Sequence, residues 1–227
     1  MVATLTRRLG SRHLELAEDA VQDALMTALQ QWPFRGVPDQ PEAWLFQVAK
    51  NRALDRLRHG RMASDKAPAV AQEAAASTEP AVASALLRDE LPPVEDDQLR
   101  LIFLVCHPSL PADARVALAL KLAGGFNVVE FARACLAQDS TIAQRLVRAK
   151  RALRDCDAGF GMPAPGELAP RLDSVLESLY LMFNEGYAAT SGDLLVRDEV
   201  AAEAIRLTRL VVDHPATTTP RAFALSR

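Results

Sequence analysis

The sequence predicts an all-α protein. Ala and Leu dominate a chain of 227 residues, while aromatic residues make up only 5%. Both biases favour helices over sheets. Apolar residues recur at i, i+3, i+4 and i+7 through successive segments, and Gly and Pro clusters separate those segments. The length is sufficient for more than one core.

The first helical block covers residues 1–61. Ala17, Ala20, Val21, Ala24, Leu25, Ala28, Leu29 and Trp32 form one apolar stripe at helical spacing. Glu15, Glu18, Asp19, Gln22 and Asp23 lie on the opposite face. Pro33, Gly36 and Pro38 break this helix. A second helix is expected from Glu42 to His59, with Pro41 suited to its first turn because proline lacks the N–H that a helix start leaves unpaired. Trp44, Leu45, Val48 and Ala49 lead its apolar side. Trp32 and Trp44 each sit in an apolar stripe and are expected in the core. The second half of this helix turns basic: Lys50, Arg52, Arg56, Arg58 and Arg61 stand against one acid, Asp55.

Residues 62–97 read as an Ala/Pro-rich acidic linker. Ala63 to Asp97 carries eight acids and two bases, a balance of −6. So little large apolar surface cannot offset the entropy of ordering. A short helix near Ala81 to Leu91 fits within it.

The second block, residues 98–156, is expected to open with helices at Gln98–Cys106 and Ala112–Leu122, ended by Gly124 and Gly125. The segment NVVEFARACLAQDSTIAQRLVRAKRALR then reads as a short helix, Val128 to Cys135, a tight break near 137–140, and a second helix. Small Ala132 suits a close crossing. Asp139 or Ser140 offers a side-chain oxygen to cap the second helix. Ile142, Leu146 and Ala149 form its buried stripe, and Gln144, Arg145, Arg148, Lys150 and Arg151 fall on its other faces. Arg133 to Arg154 contains six basic residues and one acid. Two readings fit this window: a helix-turn-helix that sets its second helix in the DNA major groove, or a solvated basic helix in an ordinary bundle.

Residues 157–166, DAGFGMPAPG, read as a hinge. A C-terminal block, residues 167–227, follows with two antiparallel helices and an incomplete remainder. It is expected to be separable from what precedes it.

Net charge is −3, so a uniformly basic coat is excluded and the segregation of charge carries the information. No run of eighteen apolar residues exists, so no membrane segment is expected, and Arg7 and Arg8 are not followed by a signal-peptide core. Three scattered cysteines, Cys106, Cys135 and Cys156, suit a reducing cytoplasm. Cys106 and His107 are adjacent and lack zinc spacing, and the four histidines form no cluster, so neither metal nor cofactor is expected. Glu185 in FNEGY has no partner carboxylate or nucleophile, and a turn at Gly186 beside buried Phe183 and Tyr187 accounts for it without catalysis.

AEDAVQDALMTALQQW, then AWLFQVAKNRALDRLR, a linker, and STIAQRLVRAKRAL together resemble a bacterial extracytoplasmic-function sigma factor. The resemblance covers residues 1–156, with region two at 1–61 and region four at 98–156. LYLMFNEGYAATSGDLLVRDEVAAEAIRLTRLV and LIFLVCHPSL resemble the subgroup with a C-terminal helical extension of the tetratricopeptide kind. The resemblance implies that Glu18, Asp19, Gln22 and Asp23 face core RNA polymerase. It implies that Asn51, Arg52, Asp55, Arg56 and Arg58 meet the start-proximal promoter element as it opens. Ser140, Thr141, Gln144, Arg145, Arg148 and Lys150 match the recognition helix for the element farther upstream. Leu136 stands where many members have Gly, and the acidic linker is long for the family. The implied partners are core RNA polymerase and promoter DNA, with a regulatory protein at the C-terminal block and no catalytic residue. Two other classes are a stand-alone helix-turn-helix repressor or activator and an enzyme active around Asn184 and Glu185.

Overall fold

Gly10 breaks the chain first. Its φ of 88° is a backbone conformation that favours glycine, and it ends α1 (Val2–Leu9) after eight residues. One 3₁₀ turn then leads into α2 (Leu14–Arg35). Pro33 does not end α2; Gly36 does, at φ 82°, with its N–H donated to the Trp32 carbonyl. α3 (Pro41–Ser64) starts at the expected proline. The computed structural model describes residues 1–64, 96–134, 137–187, 197–214, 217 and 219–225. Of the expected linker, 62–64 extend α3 and 96–97 open the next helix; residues 65–95, with the expected helix at 81–91, and the turn residues Cys135 and Leu136 lie outside the described residues. The chain divides into two compact units, Met1–Glu95 and Asp96–Arg227.

The first unit is built on alanine. Ala17, Ala20, Ala24 and Ala28 of α2 and Ala49 and Ala53 of α3 are all buried. Methyl-sized side chains let the two backbones approach closely, and Leu45, Leu54 and Leu57 fill the flanks. Leu5 and Leu9 of α1 close the core from the third side. Trp32 and Trp44 are half-buried and pack on each other, with ring centroids 5.6 Å apart.

Two residues of the expected apolar stripe face outward. Leu25 is 43% exposed and Leu29 70%. Measured around the helix from Ala24, at about 100° per residue, they lie about 100° and 140° away from the buried alanines. A stripe wide enough to include them would need a second packing partner, and among the described residues α2 has only one broad one, α3.

The second unit is organised around α5 (Ala112–Leu122), which packs against α4 (Asp97–Val105), α6 (Val128–Ala134), α7 (Asp139–Asp155) and α8 (Pro165–Tyr187). Val116 to Leu120 are therefore buried without interruption. α9 (Asp198–Asp213) lies along α8, and the short α10 (Pro220–Leu225) touches both. Gly186 meets Ala201, whereas Leu179 and Phe183 line a common cleft with Ala204 and Thr208, so α8 and α9 run antiparallel as expected. Among the described residues there is no strand.

The segment at 157–166 does not separate two bodies. Residues 96–227 form one unit, and α8 is anchored in it by a buried arginine. Arg171, 6% exposed, donates Nη1 to the Phe103 carbonyl of α4 at 3.1 Å and pairs with Glu167 at 3.7 Å. Arg115 of α5 reaches the Ser174 hydroxyl and the carbonyls of Pro108 and Leu110. The apolar faces of α4 and α5 find their cover on α8, which a Gly/Pro count could not reveal.

Gly186 is inside α8 and is no turn residue. A Cβ placed there would sit 2.5 Å from the Ala201 nitrogen of α9. Tyr187 is 69% exposed and Phe183 half-buried, their rings stacked at 6.0 Å. FNEGY is thus explained by a helix crossing that only glycine permits.

Gly186→Ala is expected to lower the stability of the second unit by about 1–3 kcal/mol, the cost of overpacking, despite alanine's better helix propensity. Thermal unfolding followed at 222 nm tests it; an unchanged or raised midpoint would refute the crossing. Truncation after Asp157 is expected to abolish cooperative unfolding of residues 96–157, because it strips α8 from Phe103 and Arg115.

Candidate nucleic-acid and protein interface

On the first unit the acids of α2 and the bases of α3 stand face to face. Asp19 and Asp23 are one turn apart on α2, and Arg56 of α3 reaches both: Nη1 lies 2.8 Å from Asp19 Oδ2 and Nη2 lies 2.7 Å from Asp23 Oδ2. The hydrogen bond that Arg56 donates to Asp19 and the charges of both carboxylates raise the Arg56 pKa above its usual value. The three side chains are 43%, 56% and 43% exposed for Arg56, Asp19 and Asp23. Gln22 is exposed on the same side of α2.

Glu18 departs from its expected place. It is only 6% exposed and so belongs to the interior, not to the outer acidic face. Met26 (55% exposed) and Leu29 (70%) take up the outer face beyond Gln22, so polar turns give way to an apolar stretch. The helical-wheel reading assigned Leu29 to the core and left Met26 out. The missed signal is that α2 has more apolar residues than one helix partner can cover.

Asn51, Arg52, Asp55, Arg56 and Arg58 of α3 are all exposed. Asn51 accepts from Gln47 Nε2 at 3.1 Å, and Arg58 lies 3.6 Å from Asp55. Arg52 lies one turn before Arg56 and makes no ion pair among the described residues.

In the second unit α6 and α7 adopt a helix-break-helix. Asn127 and Glu130 cap the start of α6 reciprocally: Glu130 Oε2 accepts from the Asn127 N–H at 2.8 Å and Asn127 Oδ1 from the Glu130 N–H at 2.9 Å. This is the capping-box arrangement with Asn in place of Ser or Thr, and N-x-x-E in the sequence was its signal. Arg197, at the start of α9, sits 3.7 Å from Glu130 and 5.1 Å over the Phe126 ring. The C-terminal block therefore grips the entry to the two-helix motif.

α7 begins one residue earlier than the cap expected at Asp139 or Ser140. Gln138 is its N-cap, in extended conformation and without a side-chain cap bond. Asp139 then falls in the first turn, where its charge suits the helix dipole. Ile142, Leu146 and Ala149 are buried as expected, joined by Leu153. Ser140, Gln144 and Arg148 are exposed on one face. Thr141 and Lys150 are half-buried at its edges. Arg145 turns away toward α5 and pairs with Asp113 at 3.1 Å. Arg151, expected on an outer face, and the 63%-exposed Val147, which was not singled out, complete the outer face.

Other chemistry is sparse among the described residues. No group of three metal-ligating side chains occurs, and no helix is long and apolar enough to cross a membrane. The Cys106 thiol is buried and its pKa is pushed up to about 12 by desolvation, only partly offset by Ser178 and the two arginines. It stays protonated and unreactive at neutral pH. A cleft of about 440 Å³ lies between α8, α9 and α10, lined by Leu179, Phe183, Ile205, Thr208, Arg209 and Leu225. Asn184 and Glu185 do not line it.

An acidic helix paired with a basic one, and a two-helix motif with a basic outer face, define an all-helical protein with two charged surfaces. Comparison with known families makes this specific. Residues 1–62 match the family model described as sigma-70 region 2, so the first unit carries a domain of that kind. Residues 171–226 match a family of unknown function, DUF6596, which fits the C-terminal extension. An uncharacterized protein of Rhizobium meliloti is 37% identical over 201 residues, covering 88% of this chain and 47% of the relative. The chain thus spans about half the length of the curated relative it matches. No solved structure matches it significantly.

Asn127→Ala removes one half of the α6 cap and is expected to cost about 1 kcal/mol of unfolding free energy. Urea denaturation checks it, and a change under about 0.3 kcal/mol would mean that the cap is dispensable.

Proposed function

We propose that this protein directs core RNA polymerase to particular promoters as a sigma factor, by binding and strand capture without covalent chemistry. The observation that carries the reading is the sigma-70 region 2 domain at residues 1–62, with its acidic α2 beside its basic α3. Asp19, Gln22 and Asp23 present the polymerase-facing surface, extended by apolar Met26 and Leu29. Asn51, Arg52, Asp55, Arg56 and Arg58 form the surface for the start-proximal element, where opened single strand needs positive charge along its backbone.

Residues 98–156 act as region four, with α7 as the reader of the upstream element. Its exposed Ser140, Gln144 and Arg148 support that role, since Gln suits adenine and Arg suits guanine in the major groove. Arg145 serves there as a strut to Asp113 rather than as a first reader. The contacts of Arg197 with Glu130 and Phe126 favour a regulatory role for the C-terminal block, through which a regulatory protein would act on the motif. That block has no catalytic role in this reading. The proposed site of action is the cytoplasm, where core polymerase and promoter DNA are found.

Run-off transcription with purified core enzyme on a promoter library is the direct test. Asp19→Arg combined with Gln22→Ala is expected to weaken core binding at least tenfold, about 1.4 kcal/mol, while helical content is kept. Unchanged core affinity in a folded variant would move the assignment to a stand-alone repressor or activator. Arg148→Glu is expected to abolish recognition of the upstream element while core binding persists, because a guanine-reading Arg contributes about 1–3 kcal/mol and reversal adds repulsion. Normal transcription by that variant would remove α7 as the reader.

A further inference from the structure

Arg56 belongs to two surfaces at once. It lies on the basic face of α3, one turn after Arg52, and both Asp19 and Asp23 of α2 hold it. A guanidinium forked between two carboxylates is not available to a phosphate, and the two carboxylates repel that phosphate as well. We propose that Asp19 and Asp23 hold Arg56 away from DNA in the free protein, and that a basic partner surface which takes the two carboxylates releases Arg56 to a DNA phosphate.

The geometry suits exchange. Each carboxylate engages a different guanidinium nitrogen, so either can leave without the other. All three side chains are near half exposed, so water and partner groups reach them without unfolding. Exposed pairs of this kind shift an equilibrium by a factor of only about 1.5 to 5 each, so a partner with several positive charges outcompetes them. Arg52, without an ion pair among the described residues, provides an attachment point for the DNA that needs no release. The coupling is reciprocal: DNA that draws Arg56 away leaves Asp19 and Asp23 freer for the partner, by the same factor.

The identity of the basic partner as core RNA polymerase rests on the sigma-factor reading. The hold on Arg56 does not, and the experiment separates the two. The probe is a fluorescein-labelled single-stranded DNA oligonucleotide, titrated into the full chain without polymerase. Four proteins are compared: wild type, Asp19→Asn with Asp23→Asn, Arg56→Gln, and the triple variant. A control, Asp39→Asn with Glu42→Gln, removes the same charge from exposed positions elsewhere on the unit. The Asp19/Asp23 variant is expected to bind DNA about three- to tenfold more tightly, the combined factor for two exposed pairs. That gain should vanish when Arg56 is also replaced, and the control should gain less than about twofold.

An equal gain in the Arg56→Gln background, or from the control, would reduce the effect to net charge and overturn the proposal. No gain at all, with helical content kept, would make Arg56 a strut between α2 and α3. A second titration with saturating core polymerase tests release: the cost of Arg56→Gln to DNA affinity should be about three- to tenfold greater with core than without. Equal costs would overturn release. Failure of wild type to bind core would remove polymerase as the partner, and the polymerase-free cycle would still decide whether Asp19 and Asp23 hold Arg56.

Discussion

The close approach of α2 and α3 is the constraint on which the first unit depends. Six alanines make it possible: Ala17, Ala20, Ala24 and Ala28 on one helix, Ala49 and Ala53 on the other. A larger side chain at any of them would hold the backbones apart. The separation matters beyond packing, because an aspartate side chain is short. Asp19 and Asp23 reach Arg56 across the helix boundary only when the helices lie near contact distance. The core therefore sets the geometry of the charged surface, and the two are one design.

The second unit depends on a different device. α5 is enclosed by α4, α6, α7 and α8, so the two-helix motif on one side and the C-terminal helices on the other share a single hub. Polar anchors fix the arrangement where apolar packing alone would allow sliding. Arg171 donates to a main-chain carbonyl of α4, Arg206 of α9 pairs with Asp96 at the start of α4, and Arg197 clasps Glu130 at the start of α6. Each arginine comes from the C-terminal block, and each reaches an element of the motif's support.

The helices were legible in the sequence because apolar spacing, Pro41 and the glycines at 36 and 125 report on local backbone, which a single segment determines. Two kinds of information were not local. Which apolar residues face inward depends on how many partners a helix has, and that is why Leu25 and Leu29 were misplaced and Glu18 was read as exposed. Whether a Gly/Pro stretch separates two bodies depends on what packs across it, and residues 157–166 connect parts of one core. The site residues fared similarly. Residue type and spacing put Asn51 to Arg58 on an exposed face, yet nothing in one helix foretold that Arg56 would be shared with Asp19, or that Arg145 would turn to Asp113.

The crossing of Gly186 against Ala201 carries a lesson for genetics. The two residues lie far along the chain from α7, but they share its folding unit. Substitutions there would weaken the support of the outer face of α7 without touching that face. Under the proposed function, a screen for altered promoter use would score them with the proposed DNA-reading residues, and a map of phenotype along the chain would draw that domain too long. Protease resistance would draw the same boundary, since a cooperative unit is protected or cut as a whole.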